Sequence, residues 1–413
     1  MRIVLFTGKG GVGKTTLAAA TAAHLARSGR KTLVVSTDPA HSLGDALETD
    51  LGGDPTEVDG VVGLFGAHVD ARGLTDGAWD RLREHLHTLL AGAGVDQLVA
   101  DELTVLPGVE ELLALGAVRR MAQSGPWDVV VVDCGPTAET LRLLALPEAV
   151  GGYLERLFPA HRRAVRGLLT GASPAARQAA ARWDKAADAL DSLATELAGL
   201  RAMLDSPDTG IRLVLTPERM VVAETRRTVT ALALYALRVD GLVANRLVPA
   251  PEPGASGAAA DWLRERAAEQ ASVLSELRAS GTPVRTAGYR AAEPTGVAAL
   301  LELADDLWGA DDPAADAAGG PGPATPLLRV RRTAGDGRSL ESAFELALHL
   351  PGAASGALDL SRIGDDELAI TVASGRRVVA LPAALRRCAV TGARLDGDEL
   401  CVVFRPDPAR WMR

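Results

Sequence analysis

The chain has 413 residues, a length that accommodates two or three domains of ordinary size. Hydrophobic residues make up 47% and charged residues 23%, which is typical of a soluble globular protein. The net charge of -9 argues against a nucleic-acid coat, because such a surface requires a basic face. We therefore expect a globular protein without a nucleic-acid partner.

The cysteines and the N-terminus limit the class further. Cys134, Cys388 and Cys401 lie far apart and form no CxxC pair, so we expect three small buried side chains and no zinc. The apolar run Met1–Thr7 is short and a glycine-rich loop follows it at once, unlike a signal peptide. The apolar run near residues 228–237 is too short to span a bilayer. We expect a cytoplasmic protein.

Continuous apolar runs alternate with helical patterns in the first 250 residues. Runs of this kind are typical of strands buried on both faces of a parallel sheet. The sequence therefore predicts an α/β domain with a parallel sheet. The predicted strands are Ile3–Thr7, Thr32–Ser36, Val129–Val132, Arg212–Thr216 and Val239–Val243, and the helix after the first strand is Thr15–Ser28.

Two stretches, about residues 72–124 and 148–206, have helical patterns and predict a helical subdomain within this α/β domain. In the second stretch, Trp183, Leu190 and Leu197 recur at intervals of seven residues. Such a spacing places apolar side chains on one face of an amphipathic helix.

The composition changes at Gly309. Residues 309–326 are rich in Gly, Ala and Pro and predict a flexible linker. From there to residue 406, apolar residues alternate with others between turn signals, which predicts a small all-β sandwich. We therefore expect domains at 1–308 and 327–406. The alternating residues are Phe344, Leu346, Leu348 and Leu350, then Leu368, Ile370 and Val372, then Leu400, Val402 and Phe404.

A glycine-rich loop joins the first predicted strand to the first predicted helix. Its sequence, GKGGVGKTT, satisfies G-x-x-x-x-G-K-T, a pattern in which backbone amides surround phosphate oxygens. We expect Lys14 to reach the β- and γ-phosphates of ATP and the Thr15 hydroxyl to bind Mg²⁺, with the positive end of the helix facing the same anion. The predicted ATP-binding residues of the loop are Gly8, Lys9, Gly10, Gly11, Val12, Gly13, Lys14, Thr15 and Thr16.

The loop carries a second lysine, Lys9, directly after its first glycine. An ordinary phosphate loop does not need this residue. One interpretation is a solvated surface lysine. The other is a catalytic lysine that contacts phosphate across a dimer interface, as a finger residue supplied in trans. We take the second as our hypothesis because the following motifs agree with it.

A carboxylate follows each of two predicted strands. Asp38 lies in STDPAHSLGD after the second strand, and Asp133 begins DCGPTAETLRLLALP after the third. The carboxyl ends of parallel strands face the ligand crevice. We expect Asp133 to hold the magnesium shell, partly through water, and Asp38 to orient or deprotonate the attacking water. The structural alternative for Asp38 is a turn cap before Pro39.

These motifs resemble the ArsA/GET-type ATPases, which belong to the deviant phosphate-loop class. The resemblance implies Mg²⁺-dependent ATP hydrolysis, a homodimer that closes around two ATP molecules, action of Asp38 on the water, and an adenine contact by Asn245. The segments that carry it are GKGGVGKTT, STDPAHSLGD, LPGVEELLAL at Leu106–Leu115, the switch segment from Asp133, TPERMVVAETRR at Thr216–Arg227, and GLVANRLVP at Gly241–Pro249.

The sequence departs from this family at several points. Members that deliver tail-anchored membrane proteins join their dimer through zinc held by a CxxC pair, and that pair is absent here. The cysteine cluster of arsenite-pump ATPases is absent too, and there is one phosphate loop rather than two. In the second switch, Ala138 and Glu139 replace the usual Gly-His pair.

The C-terminal segment, residues 327–406, resembles an α-crystallin or small-heat-shock-type domain. The likeness rests on three short elements in the expected order. The resemblance implies a β-sandwich. The elements are ELALHLPG at Glu345–Gly352, DELAITVASGRRVVALP at Asp366–Pro382, and ARLDGDELCVVF at Ala393–Phe404.

Two functions remain after this comparison. The first is a dimeric ATP-driven switch that handles a hydrophobic client protein or a membrane-associated segment. The alternative is the catalytic subunit of an arsenite or other anion efflux pump. A DNA-partitioning ATPase is disfavoured by the acidic charge, and an iron–sulfur reductase would need two well-placed cysteines per subunit.

Overall fold

The computed structural model describes residues 1–38, 41–69, 109–134, 195–235, 237–279, 281–315, 328–353, 356, 358–372 and 375–411. Of the two predicted helical stretches, at about 72–124 and 148–206, residues 72–108 and 148–194 lie outside the described residues, as do the second-switch residues 135–140.

An eight-stranded sheet forms the centre of the first domain. Its strands are β1 (Arg2–Thr7), β2 (Thr32–Ser36), β3 (Thr56–Glu57), β4 (Leu64–His68), β5 (Val129–Asp133), β6 (Thr209–Leu215), β7 (Val239–Leu247) and β8 (Val284–Gly288). Their order is β3-β4-β2-β5-β1-β6-β7-β8. All neighbours pair in parallel except β3 with β4. The predicted parallel α/β sheet is confirmed, and β3, β4 and β8 are additions to it.

Helices cover both faces of this sheet. Neighbouring residues of its buried strands point to opposite sides, so each face presents apolar side chains that need cover. Val4 and Phe6 of β1 join one apolar cluster, whereas Ile3 and Leu5 join the other. The helices are α1 (Lys14–Arg27), α2 (Ser42–Leu47), α3 (Val109–Ser124), α4 (Arg219–Leu234), α5 (Ala258–Arg278) and α6 (Gly296–Trp308). The first cluster contains α1 and α6, and the second contains α3, α4 and α5.

Residues 195–205 are helical, at the end of the second predicted helical stretch. Leu197, Leu200 and Leu204 are buried on one face of this helix, as their spacing predicts. None of the helices in the described part of the chain has the length and apolar content that a bilayer-spanning helix requires.

The first part of the predicted linker contacts the sheet. Pro313 accepts a hydrogen bond from the buried guanidinium of Arg212. The preceding Trp308 ring contacts two guanidinium groups, and its centroid lies 4.6 Å from the Cζ atom of Arg212 and 4.5 Å from that of Arg285. Residues 309–315 are therefore fixed to the first domain, whereas most of the remaining predicted linker lies outside the described residues.

The C-terminal domain is built mainly from antiparallel strands. Its elements are β9 (Leu328–Ala334), β10 (Ala343–His349), β11 (Leu358–Ile363), β12 (Glu367–Val372), β13 (Gly375–Ala380), α7 (Ala383–Arg386), β14 (Cys388–Asp396), β15 (Glu399–Pro406) and α8 (Pro408–Trp411). The strands form two antiparallel sheets, ordered β14-β15-β10-β9 and β11-β12-β13. The alternating apolar residues predicted for three of the strands are all buried between these sheets. The predicted all-β sandwich is confirmed.

The two domains share part of their core at the end of α4. Leu234 is fully buried in the apolar cluster of the sandwich, and its carbonyl accepts a hydrogen bond of 2.9 Å from Arg377. The next residue, Tyr235, donates from its hydroxyl to the carbonyl of Arg376 over 3.1 Å. One turn earlier, the Thr230 hydroxyl donates to the carbonyl of Pro351. The last turn of α4 therefore completes the sandwich.

This shared core leads to a stability prediction. Leu234→Ala should lower the free energy of unfolding by about 2–5 kcal/mol, because it leaves a cavity among buried side chains of both domains. Urea unfolding followed by tryptophan fluorescence and by circular dichroism measures the loss. Val390→Ala, at a side chain that is 37% exposed, is the control and should change stability by about 0.5 kcal/mol or less. A mutant that destabilises neither domain would contradict the shared core.

Candidate active site

The phosphate loop has a backbone that only glycine accommodates at two of its positions. Gly8 has φ 145°, and a Cβ atom there would lie 2.2 Å from the carbonyl oxygen of Val214. Gly13 has φ 93°, and a Cβ atom there would lie 2.4 Å from the amide nitrogen of Asn245. Since α1 begins at Lys14, directly after Gly13, the loop ends at a helix N-terminus, which favours an anion.

The carboxylate of Asp133 joins the phosphate loop to the end of a neighbouring strand. Its Oδ2 accepts hydrogen bonds from the Thr15 hydroxyl at 2.7 Å and from the Ser36 hydroxyl at 3.0 Å. Ser36 also accepts a hydrogen bond of 3.2 Å from the backbone amide of Asp38. Residues at the ends of β2 and β5 and at the start of α1 are thus connected through one side chain.

Asp133 is 1% exposed. Burial raises the pKa of its carboxyl above the ordinary value. The hydrogen bonds from Thr15 and Ser36 and the charge of Lys14 oppose this rise, whereas the charge of Asp38 adds to it. A cation beside the carboxylate would offset the free-energy cost of burying its negative charge.

The donor set at Asp133 fits magnesium. Its second oxygen, Oδ1, is buried and has no hydrogen-bond partner among the described residues. The Thr15 hydroxyl is hydrogen-bonded to the other oxygen of the same carboxylate, and the Ser42 hydroxyl is 3.4 Å from that of Thr15. Carboxylate and hydroxyl oxygens are the hard ligands that Mg²⁺ prefers, and the ion keeps several waters. The predicted pair of Thr15 and Asp133 is therefore brought together by the fold.

The two lysines of the loop have different surroundings. Lys14 donates from its ammonium to the carbonyl of Lys9 over 3.3 Å, which keeps its side chain curled over the loop. The Lys9 ammonium lies 3.2 Å from a carboxylate oxygen of Glu224 in α4, and both side chains are about half exposed. Lys9 is therefore at the surface of the loop, paired within its own chain.

Asn245 is buried against the loop. Its amide nitrogen donates to the carbonyl of Val12 over 2.8 Å, and its amide oxygen accepts from the backbone of Arg246 over 2.9 Å. Arg246 has a left-handed backbone, with φ 60°, and Gln270 of α5 bonds to the residues on this turn. Asn245 thus fixes the loop position, and its adenine contact stays a prediction.

Four polar residues of the site were not singled out from the sequence. Ser36 and Ser42 both lie within STDPAHSLGD, so their place beside Asp38 was a usable signal. Glu224 lies within TPERMVVAETRR, but nothing in that segment indicates a contact with Lys9. Gln270 lies in the middle of a helix, and only the three-dimensional structure brings it to the site.

Comparison with known proteins decides the family. Residues 1–309 match the family of anion-transporting ATPases. The chain is an ArsA-type ATPase. Residues 341–404 of this ArsA-type chain match the HSP20-like domain found in ArsA, so the resemblance of both domains is confirmed.

Three relatives of this ArsA-type ATPase illustrate its similarity. Protein Rv2184c of Mycobacterium tuberculosis is 39% identical over 427 residues, covering 99% of this chain and 97% of that protein. A Chlorobaculum tepidum protein named "Putative arsenical pump-driving ATPase" is 34% identical over 390 residues, covering 93% and 91%. ATPase GET3 of Podospora anserina is 30% identical over 270 residues, covering 62% and 75%.

The buried carboxylate yields a prediction about magnesium. Asp133→Asn should abolish most of the thermal stabilisation that Mg²⁺ adds to ATP, because the amide supplies one oxygen and no charge. With ATP and EDTA, the variant should unfold at or above the wild-type temperature, since a buried charge is removed. Differential scanning calorimetry with ATP and either Mg²⁺ or EDTA measures both effects. Asp59→Asn, at an exposed loop position, is the matched control. An unchanged magnesium increment would exclude Asp133 from the metal site.

Proposed function

We propose that the chain is a homodimeric switch that uses ATP and Mg²⁺ to handle a hydrophobic client protein or membrane-associated segment. The connection through Asp133 is the observation that carries the proposal. It links Thr15 of the phosphate loop to Ser36, two residues before Asp38. A change in the phosphates or the metal at Thr15 would therefore act on the segment that contains Asp38, and on the chain that continues from Asp133.

The roles of the residues follow from their charges and positions. Lys14 and the N-terminus of α1 would bind the terminal phosphates. Thr15 and Asp133 would hold the metal. Mg²⁺ neutralises charge on the phosphates when it is bound. Asp38 would orient the attacking water and accept its proton, because it follows β2 at the edge of the sheet where the loop lies.

Lys9 supports a homodimer, because Lys14 already serves the phosphates of its own chain. The Lys9 side chain is 54% exposed, so it can reach a second copy. Large apolar side chains are exposed in the segments that follow β6, β7 and β8. Met220 is 83% exposed, and Trp262 and Tyr289 are each 59% exposed. These side chains are available for contact with a second copy.

The trans role of Lys9 is tested with mixed chains. Lys9→Ala and Asp38→Asn should each bind ATP and lose turnover by about 10³-fold or more, the range of a finger residue. Mixing the two variants should restore part of the activity, because one composite site receives Lys9 from one chain and Asp38 from the other. Steady-state phosphate release, with nucleotide binding measured in parallel, provides the readout.

Lys14→Ala is the control for this experiment. It should lose nucleotide binding as well as turnover. The binding measurement therefore distinguishes it from Lys9→Ala and Asp38→Asn, which still bind ATP. Mixed Lys9→Ala and Asp38→Asn chains that form heterodimers but release no phosphate would exclude action of Lys9 across the interface.

The client proposal is supported by the C-terminal domain. Its match to an HSP20-like domain and its attachment to α4 place a β-sandwich directly on the ATPase domain. A client of this switch would be an apolar segment, held at a surface whose exposure changes with the nucleotide.

The client proposal predicts nucleotide-dependent binding of an apolar probe. Asp38→Asn loaded with Mg²⁺ and ATP should bind a fluorescent apolar helical peptide more tightly than the same variant with ADP, because the trapped dimer keeps one arrangement of its apolar surface. Fluorescence anisotropy measures the binding, and a scrambled peptide with polar residues at the apolar positions is the control. Equal binding of the peptide with ATP, with ADP and without nucleotide would exclude the client proposal.

The alternative is the catalytic subunit of an anion efflux pump, which the family description and the name of the Chlorobaculum relative support. The burial of the three cysteine thiols argues against the binding of arsenite. Cys134 lies in the ATPase domain, and Cys388 and Cys401 lie in the sandwich; all three are buried. Burial raises the pKa of each thiol, which disfavours the thiolate that binds arsenite. Turnover that rises with arsenite would favour the pump.

A further inference from the structure

Helix α4 contacts both the phosphate loop and the β-sandwich. At one point Glu224 is paired with Lys9 of the loop over 3.2 Å. Ten residues later, Leu234 is buried in the core of the sandwich. At a rise of about 1.5 Å per residue, the two contacts are about 15 Å apart along one rigid element. No other helix of the described residues carries an ion pair to Lys9.

We propose that α4 couples the β-sandwich to ATP turnover, with Glu224 as the positioning residue that holds Lys9 within its own chain. This inference rests on the proposed action of Lys9 across the dimer. A lysine paired with Glu224 of its own chain is not available to the phosphates of a second copy. A displacement of α4 by the sandwich would release Lys9, and a client bound to the sandwich would thereby alter the rate of hydrolysis.

The two contacts of α4 differ in strength in the way that such coupling requires. The Lys9–Glu224 pair is between side chains that are 54% and 45% exposed, and exposed pairs of this kind contribute little. At the other end, Leu234 is 0% and Tyr235 2% exposed, and hydrogen bonds join both to β13. A movement of the sandwich would therefore carry the helix with it and break the ion pair first.

The movement needed is small. Val221, Val222 and Leu232 of α4 are buried against the sheet, so the helix cannot leave its place. Packed helices shift by about 1–2 Å without losing such contacts. An added separation of this size at a 3.2 Å ion pair takes the two charged groups beyond direct contact. Coupling thus requires a slight shift of α4 and no unfolding.

Because the chain has few lysines, the chemical reactivity of the Lys9 amine can be measured directly. The lysines of the sequence are Lys9, Lys14, Lys31 and Lys185, so amine acetylation can be assigned to single sites by peptide mass spectrometry. Because the Glu224 carboxylate shields the Lys9 ammonium, Glu224→Gln should raise the acetylation rate of Lys9 about 1.5- to 5-fold, relative to Lys31 as internal reference. The same variant should raise kcat by a similar factor and leave the KM for ATP within about twofold.

Glu276→Gln is the matched control for this charge change. Glu276 pairs with Arg226 of α4 at 3.8 Å and is about as exposed as Glu224, but its partner is not in the phosphate loop. The control should match wild type in Lys9 acetylation and in kcat. Equal effects of Glu224→Gln and Glu276→Gln would overturn the positioning role of Glu224.

The second arm loosens the other end of the helix. Thr230→Val with Tyr235→Phe removes two hydrogen bonds from α4 to the sandwich while keeping the shape of both side chains. Under this proposal the two hydrogen bonds hold α4 at the position in which Glu224 meets Lys9, so their loss should let the helix shift. The pair should therefore raise Lys9 acetylation and kcat as Glu224→Gln does, and the triple variant should show no further rise. Thr230→Ser, which keeps the hydroxyl, should behave as wild type. The melting temperature of each variant shows that it is folded.

The outcomes separate this inference from the proposed function. Wild-type acetylation of Lys9 in the Thr230→Val, Tyr235→Phe variant, or a triple variant whose effects multiply, would overturn the coupling through α4. If Lys9→Ala retains wild-type turnover, the catalytic role of Lys9 fails, whereas acetylation still decides whether the sandwich controls the position of Lys9.

Discussion

One buried carboxylate connects the parts of the ATPase site. Asp133 is almost completely enclosed at the end of a central strand, where burial disfavours its charge. Two hydroxyl groups donate to one of its oxygens, one from Thr15 of the phosphate loop and one from Ser36 of the adjacent strand. The arrangement leaves the second oxygen buried without a hydrogen-bond partner among the described residues. Much of the site follows from this need to satisfy one charge, because each group that does so belongs to a different segment of the chain.

The second organising feature is that the two domains are not separate bodies on a tether. The sandwich uses the last turn of α4 as part of its own core, and residues 309–315 are attached to the sheet through Arg212 and Trp308. The same helix bears Glu224 beside the phosphate loop. The physical path from the sandwich to Lys9 therefore lies through packed residues of α4.

The sequence alone was sufficient to predict the central strands of the sheet and the sandwich, because apolar runs and strict alternation indicate burial directly. It was sufficient to predict the phosphate loop because the loop has a specific pattern of glycine, lysine and threonine. It was not sufficient for β4 and β8, whose five-residue runs contain glycine and polar residues and resemble loops. Asp38 and Asp133 were predicted from their positions after strands, and Thr15 from the phosphate-loop pattern. Glu224 and Gln270 were not, because a polar residue within a helix gives no indication of its distant partner. The contact of α4 with the sandwich was missed for the same reason.

The shared core also bears on the order in which the chain is made. Leu234 leaves the ribosome long before Phe404, with which it is finally buried. Phe404 is added 170 residues after Leu234, which takes about 9–34 s at rates of about 5–20 residues per second. During that time the last turn of α4 exposes apolar surface, although the sheet beneath it is already available for folding. Burial of this turn in its final surroundings therefore cannot precede the synthesis of β15, which carries Phe404.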